Sequence, residues 1–146
     1  MDLEDCYRKK LIKRTRIDPE LIESLIEMSK IKEGAVDNAD IDEINISAYV
    51  SMAYDSLREA LEAICIYNGY KVLSHLCIAE LLRTLVEDFD YSEFDRVRYI
   101  RNSINYYGIK VEFEQGKEII KKIFAMKKHL TKKYLKKFIR PQERVK

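Results

Sequence analysis

The segment RVRYIRNSINYYG, Arg96 to Gly108, carries three arginines, two asparagines and three tyrosines. Guanidinium groups offer planar forks of donors that match phosphate and carboxylate, and carboxamides add donors and acceptors beside them. On a helix at about 100° per residue, Val97, Ile100, Ile104 and Tyr107 share one arc, the expected core face. Arg98, Arg101, Asn102 and Asn105 fill the adjoining sector, with Tyr106 just beyond and Arg101 at the edge nearest the core. Phosphate binding is the chemistry this patch suits. The competing structural role is that Arg98 and Arg101 pair with carboxylates such as Asp95 or Glu93 while the asparagines cap the helix end. His75 and His129, the two histidines, read as helix-face residues. Gly-rich phosphate loops, H-E-x-x-H, clustered metal ligands and Ser/His/Asp arrangements are absent from the sequence, so no metal or cofactor is expected.

The elements that hold this segment read as helices. Asp18 is an N-cap with Pro19 at the first helical position, and Leu21, Leu25 and Met28 form a stripe beside Ile22 and Ile26. Tyr49, Ala53, Leu57, Ala60, Ile64 and Tyr67 recur at helical steps before Gly69. A third helix spans about Val72 to Glu87. Ser92 and Asp95 resemble a capping box opening the helix of Arg101, and Gly108 ends it. IKVEFEQG reads as a loop or short extended piece. The last helix runs from about Lys117 to Phe138, with Ile119, Ile123, Met126, Leu130, Tyr134 and Phe138 on one face and solvated lysine pairs on the rest.

Four Gly and two Pro among 146 residues leave few turns, and 47% hydrophobic with 36% charged residues suits one helical domain. The expected fold is all-α, an antiparallel bundle of four to five helices over residues 18–139. Residues 1–17 are a basic arm or short helix, and 140–146 a flexible basic tail. Apolar runs fall short of the roughly 20 residues that span a bilayer, and the first ten residues contain no apolar signal segment, so a soluble cytoplasmic protein without membrane contact is expected. Cys6, Cys65 and Cys77 form no C-x-x-C pair and read as free thiols. The net charge of +2 conceals +10 over residues 117–146 (12 basic, 2 acidic) and −11 over 17–116 (9 basic, 20 acidic). Such separation suits a phosphate-binding face, or acidic and basic surfaces that meet within or between chains.

The stretch AYVSMAYDSLREALEAICIYNGYKVLSHLCIAELLRTL, followed by a helix ending IRNSINYYG, resembles HEPN (higher eukaryotes and prokaryotes nucleotide-binding) domains from about Asp18 to Phe138. The resemblance rests on the Tyr-rich second helix, the GYKVLSH junction, the RN pair and the helix order. It implies a homodimer whose Arg-bearing helices line a shared cleft. It also implies a metal-independent ribonuclease, often a toxin paired with a small nucleotidyltransferase, or a non-catalytic relative. The family's motif is an Arg, usually followed by Asn, Asp or His, with a His about four to six residues after the Arg, and Arg101 and Asn102 match its first two positions. Asn105, Tyr106 and Tyr107 occupy the window where its His belongs, and Tyr107 approximates a family tyrosine that is nucleotidylated in some pairs.

Cleavage through a 2′-hydroxyl needs a base, an acid and positive charge at the phosphate. Arg101 supplies only the charge, and a phenol titrating near 10 is a poor base at neutral pH. The leading expectation is therefore a dimer that binds RNA or nucleotide through Arg98, Arg101, Asn102, Asn105 and Tyr107, with weak or no cleavage. The alternatives are a ribonuclease toxin using Arg101 and Asn102 with Tyr106 or Tyr107 in place of the His, and a non-enzymatic module that holds a nucleotidyltransferase.

Overall fold

A 22-residue helix, α3 (Ile46–Tyr67), is the axis of the structure, a computed structural model that describes residues 1–139. The basic tail expected at 140–146 lies outside them. In chain order the elements are α1 (Leu3–Arg8), β1 (Ile12–Arg14), α2 (Pro19–Asp37), α3, β2 (Tyr70–Val72), α4 (His75–Leu85), α5 (Tyr91–Tyr107) and α6 (Phe113–Tyr134), with a 3-10 turn at Lys136–Phe138. It is an all-α bundle with one small sheet. α3 can occupy the centre because its apolar residues cover most of its circumference, burying Ile46, Val50, Ala53, Tyr54, Leu57, Leu61 and Ile64. It packs on α2, α4, α5 and α6. Full burial of one such large side chain contributes about 1.5–3 kcal/mol. Among the described residues no helix is long and apolar enough to cross a membrane.

Local chemistry sets the helix starts. Asp18 accepts from the Leu21 amide with Pro19 at the first position. α5 opens at Tyr91 on the Asp90 carboxylate, which accepts from the Glu93 amide, so Ser92 lies inside the first turn rather than capping it. α6 begins four residues before the expected Lys117, because Glu112 accepts from the Glu114 and Gln115 amides. Gly116 is thus a helix residue. A Cβ there would stand 2.4 Å from Ile46 Cγ1, so its role is close packing against α3. On α2 the buried stripe is Ile22, Ile26, Ser29 and Val36, and Leu21 and Met28 lie on the exposed side.

The N-terminal residues are tied to the bundle. β1 pairs antiparallel with β2, with Ile12 opposite Val72 and Arg14 opposite Tyr70, which draws Val72 out of the helix expected there. α1 packs on α4, and Cys6 and Cys77 form a disulfide with Cα atoms 5.8 Å apart. The free-thiol expectation therefore fails for two of the three cysteines. Their 71-residue separation has no local signature, and the pairing emerges only when α1 docks on α4. It also removes the cysteine argument for a reducing compartment. Cys65 is free and buried, and burial pushes its thiol up to about 12.

Not all of α6's lysines are solvated. Lys127, with 8% of its side chain exposed, donates to Glu33 Oε1 (2.6 Å), Ser56 Oγ (2.9 Å) and the Ser29 carbonyl (3.2 Å). Ser29 and Ser56 exchange hydroxyl-to-carbonyl bonds of 2.6 and 2.7 Å, so one polar knot joins α2, α3 and α6. Burial holds the Lys127 ammonium below its usual range, against the pull of Glu33. Lys133 and His129 likewise pair with Asp88, between α4 and α5. Part of the charge separation along the chain is therefore neutralised internally. Lys127→Ala should lower the stability measured by urea unfolding by about 2–3 kcal/mol, and Lys127→Met by under about 1 kcal/mol, since an apolar stem refills the volume. An unchanged midpoint for Lys127→Ala would contradict this role.

Candidate functional site

Three helices bring charged groups together where α5 and the first residue of α4 meet α3. α3 presents Ser51, Tyr54, Asp55, Arg58 and Glu62 at steps of three and four, one face of a helix. α5 presents Arg98, Arg101 and Asn105 at the same steps, and α4 begins with His75. Phe94 of α5, fully buried, stacks on Tyr54 with ring centroids 5.7 Å apart and fixes the register of the two helices.

Arg101 is held at the boundary of the core. Its side chain is 14% exposed; Nη2 donates to Asp55 Oδ1 at 3.2 Å, and the guanidinium carbon lies 5.6 Å from the Tyr54 ring centroid. The amide orientation of Asn105 follows from its partners. Its oxygen accepts from Arg101 Nε and Nη2 at 3.2 Å, and its nitrogen donates to Ser51 Oγ at 3.0 Å. Asn105 therefore braces Arg101 rather than capping the helix. The cap is Gly108 in the left-handed conformation, φ 64°.

Arg58 donates to Glu62 at 2.7 Å, and its Nε stands 3.9 Å from Asp55 Oδ1, beyond hydrogen-bond reach. That Nε is buried without a hydrogen-bond acceptor. Arg98 is paired with Asp95 at 2.7 Å, as the structural reading of α5 expects, and Arg96 with Glu93 at 2.9 Å. Arg101 departs from that reading, since its carboxylate partner comes from another helix.

Beside these groups Tyr54 Oη and His75 Nδ1 are 3.3 Å apart. Burial drives the Tyr54 phenol far above its usual range, so it keeps its proton. Burial first, then the positive charge of Arg58 and Arg101, lowers His75 to about 4. A neutral His75 with Nδ1 accepting the Tyr54 proton satisfies both groups and leaves Nε2–H as the free donor. Both residues lie in the motifs that carry the family resemblance. Neither stood out as a site residue, because only the folded chain brings them to Arg101. Ser51, Asp55 and Arg58 were hidden in the same way, although their three- and four-residue spacing along α3 was a visible signal.

No family model, curated protein or solved structure matches this chain. What the site can do is decided by its own chemistry.

Asn102 follows Arg101 on α5, half-buried, with no side-chain hydrogen bond to protein among the described residues. Tyr106 and Tyr107 are 70% and 79% exposed on the last turn of α5. For Tyr107 this overturns the expected core position: from Asn105 to Lys110 every residue is exposed. Among the described residues no group of three or more His, Cys, Asp or Glu side chains is placed to hold a metal ion. The second histidine, His129 of α6, is engaged with Asp88, and Tyr134 donates to the same carboxylate at 2.6 Å. These bonds hold Asp88 below the usual carboxylate range.

Proposed function

We propose that this chain is a HEPN-like, cytoplasmic module that binds RNA or nucleotide phosphate in the cleft between α3, α4 and α5, without efficient cleavage. The observation that carries this reading is the convergence of Arg58, Arg98 and Arg101 beside a half-buried His75, with the Arg58 Nε donor lacking an acceptor. Asn102 and Asn105 add hydrogen bonds around Arg101, and Tyr106 and Tyr107 are open at the end of α5 for stacking on bases. Binding without efficient cleavage is supported by the absence of a histidine from α5 and by the engagement of His75 with Tyr54.

The test is the affinity for a short single-stranded RNA across a salt series. Three guanidinium–phosphate contacts predict a log–log slope of about −2, and an RNA affinity too weak to measure at low salt would exclude the reading. In the same proposal a second copy packs on Tyr99 and Ile109, which expose 71% and 55% of their surface, and leaves Tyr106 and Tyr107 open to RNA. Sedimentation should give a dimer; a monomer at all concentrations removes that part alone.

A further inference from the structure

The charges in the cleft cancel before any ligand arrives. Arg58, Arg98 and Arg101 supply three positive charges, and Glu62, Asp95 and Asp55, each within 3.2 Å of one of them, supply three negative ones. A phosphate entering such a site finds oriented donors but no surplus positive charge. The group able to supply it is His75, which is neutral in the free protein and bonded through Nδ1 to Tyr54. Its Nε2 has no hydrogen-bond partner among the described residues, and the ring is partly exposed.

We propose that His75 is a phosphate-binding residue that takes up one proton from solvent when a phosphodiester enters the cleft, so that the bound state pairs the anion with an imidazolium. This rests on the reading of the cleft as a phosphate site. The physical basis is reciprocity: an anion beside Arg58 and Arg101 offsets the repulsion those groups exert on an imidazolium, so phosphate raises the proton affinity of His75 and the proton raises the affinity for phosphate. Protonated His75 donates from Nε2 to a phosphate oxygen and from Nδ1 to Tyr54 Oη, whose hydroxyl rotates to accept. The groups facing His75 are Tyr54, Asp55 and Arg58 from α3 and Arg98 and Arg101 from α5. Of the nearby carboxylates, Glu62 is raised from its ordinary value by burial. A variant of His75 itself is therefore required to separate the two.

The experiment is calorimetric titration of an RNA oligonucleotide without terminal phosphates, whose diesters stay singly charged, in buffers of different ionisation enthalpy between pH 5.5 and 7.5. Wild type is expected to take up a fraction of a proton that grows toward one as pH falls, with affinity rising about tenfold across the range. His75→Gln cannot take up the proton and should bind about tenfold more weakly than wild type at pH 5.5, with no uptake and less than about twofold change with pH. His129→Gln should behave as wild type. RNA binding by wild type without proton uptake, or uptake that persists in His75→Gln, overturns the assignment of His75 and leaves the phosphate site standing. Failure of wild type to bind RNA at any pH overturns both.

Discussion

Arg101→Ala is expected to weaken binding of a short single-stranded RNA by about 10- to 150-fold, the loss of a hydrogen bond to a charged group. Two effects act together. The fork itself is gone, and Asp55, which took a 3.2 Å bond from Arg101, is left with Arg58 at 3.9 Å, so the cleft turns net negative toward the phosphate. Arg101→Lys restores the charge but not the planar fork or the contact with Tyr54, and should fall between the two. The fold should survive, because a partly exposed ion pair contributes only about 0–1 kcal/mol. The salt slope of the alanine variant should be shallower by about 0.7, one single-strand phosphate contact. Anisotropy of a labelled RNA measures both quantities, and unchanged affinity would remove Arg101 from the site.

The second large effect concerns the Cys6–Cys77 disulfide. Replacing both cysteines by serine, or adding reductant, should cost about 4 kcal/mol in unfolding free energy, the chain-entropy value for closing a loop of about 71 residues. α1 and β1 are short, six and three residues, and β1 is held by one three-residue strand pairing. They have the least packing of their own to replace the bond. Cys77 lies two residues after His75, so loosening α1 also loosens the start of α4. Chemical denaturation with and without reductant decides the matter, and coincident curves would show that the bond contributes nothing.

Much of the bundle was legible in the residue order, for reasons that are local. Asp18–Pro19 opens α2 and Gly108 closes α5 through chemistry confined to a few neighbouring residues, and the period of Ala53, Leu57, Ala60 and Ile64 marks the buried face of α3. Boundaries failed where a competing group lay slightly upstream, as with Asp90 before Ser92 and Glu112 before Lys117. The site was half legible. The helical wheel grouped Arg98, Arg101 and Asn105, but periodicity within one helix carries no information on what the next helix brings. Asp55 and His75 reach the neighbourhood of Arg101 from other helices, across 46 and 26 positions of chain, and Ser51 reaches Asn105 across 54. Tyr107 was misjudged because the wheel assumes packing along the whole helix, and from Asn105 onward α5 is exposed. Lys127 looked like one more solvated lysine until Ser29, Ser56 and Glu33 gathered around it.

The central claim is that phosphate is held where α3, α4 and α5 meet. The most direct measurement follows the arginine Nε–Hε resonances of isotope-labelled protein during titration with a short single-stranded RNA. The Arg58, Arg98 and Arg101 signals are predicted to shift together and saturate, while Arg8 and Arg14 stay in place. Saturable RNA binding that leaves those three signals unmoved and shifts the lysines of α6 instead would contradict the account.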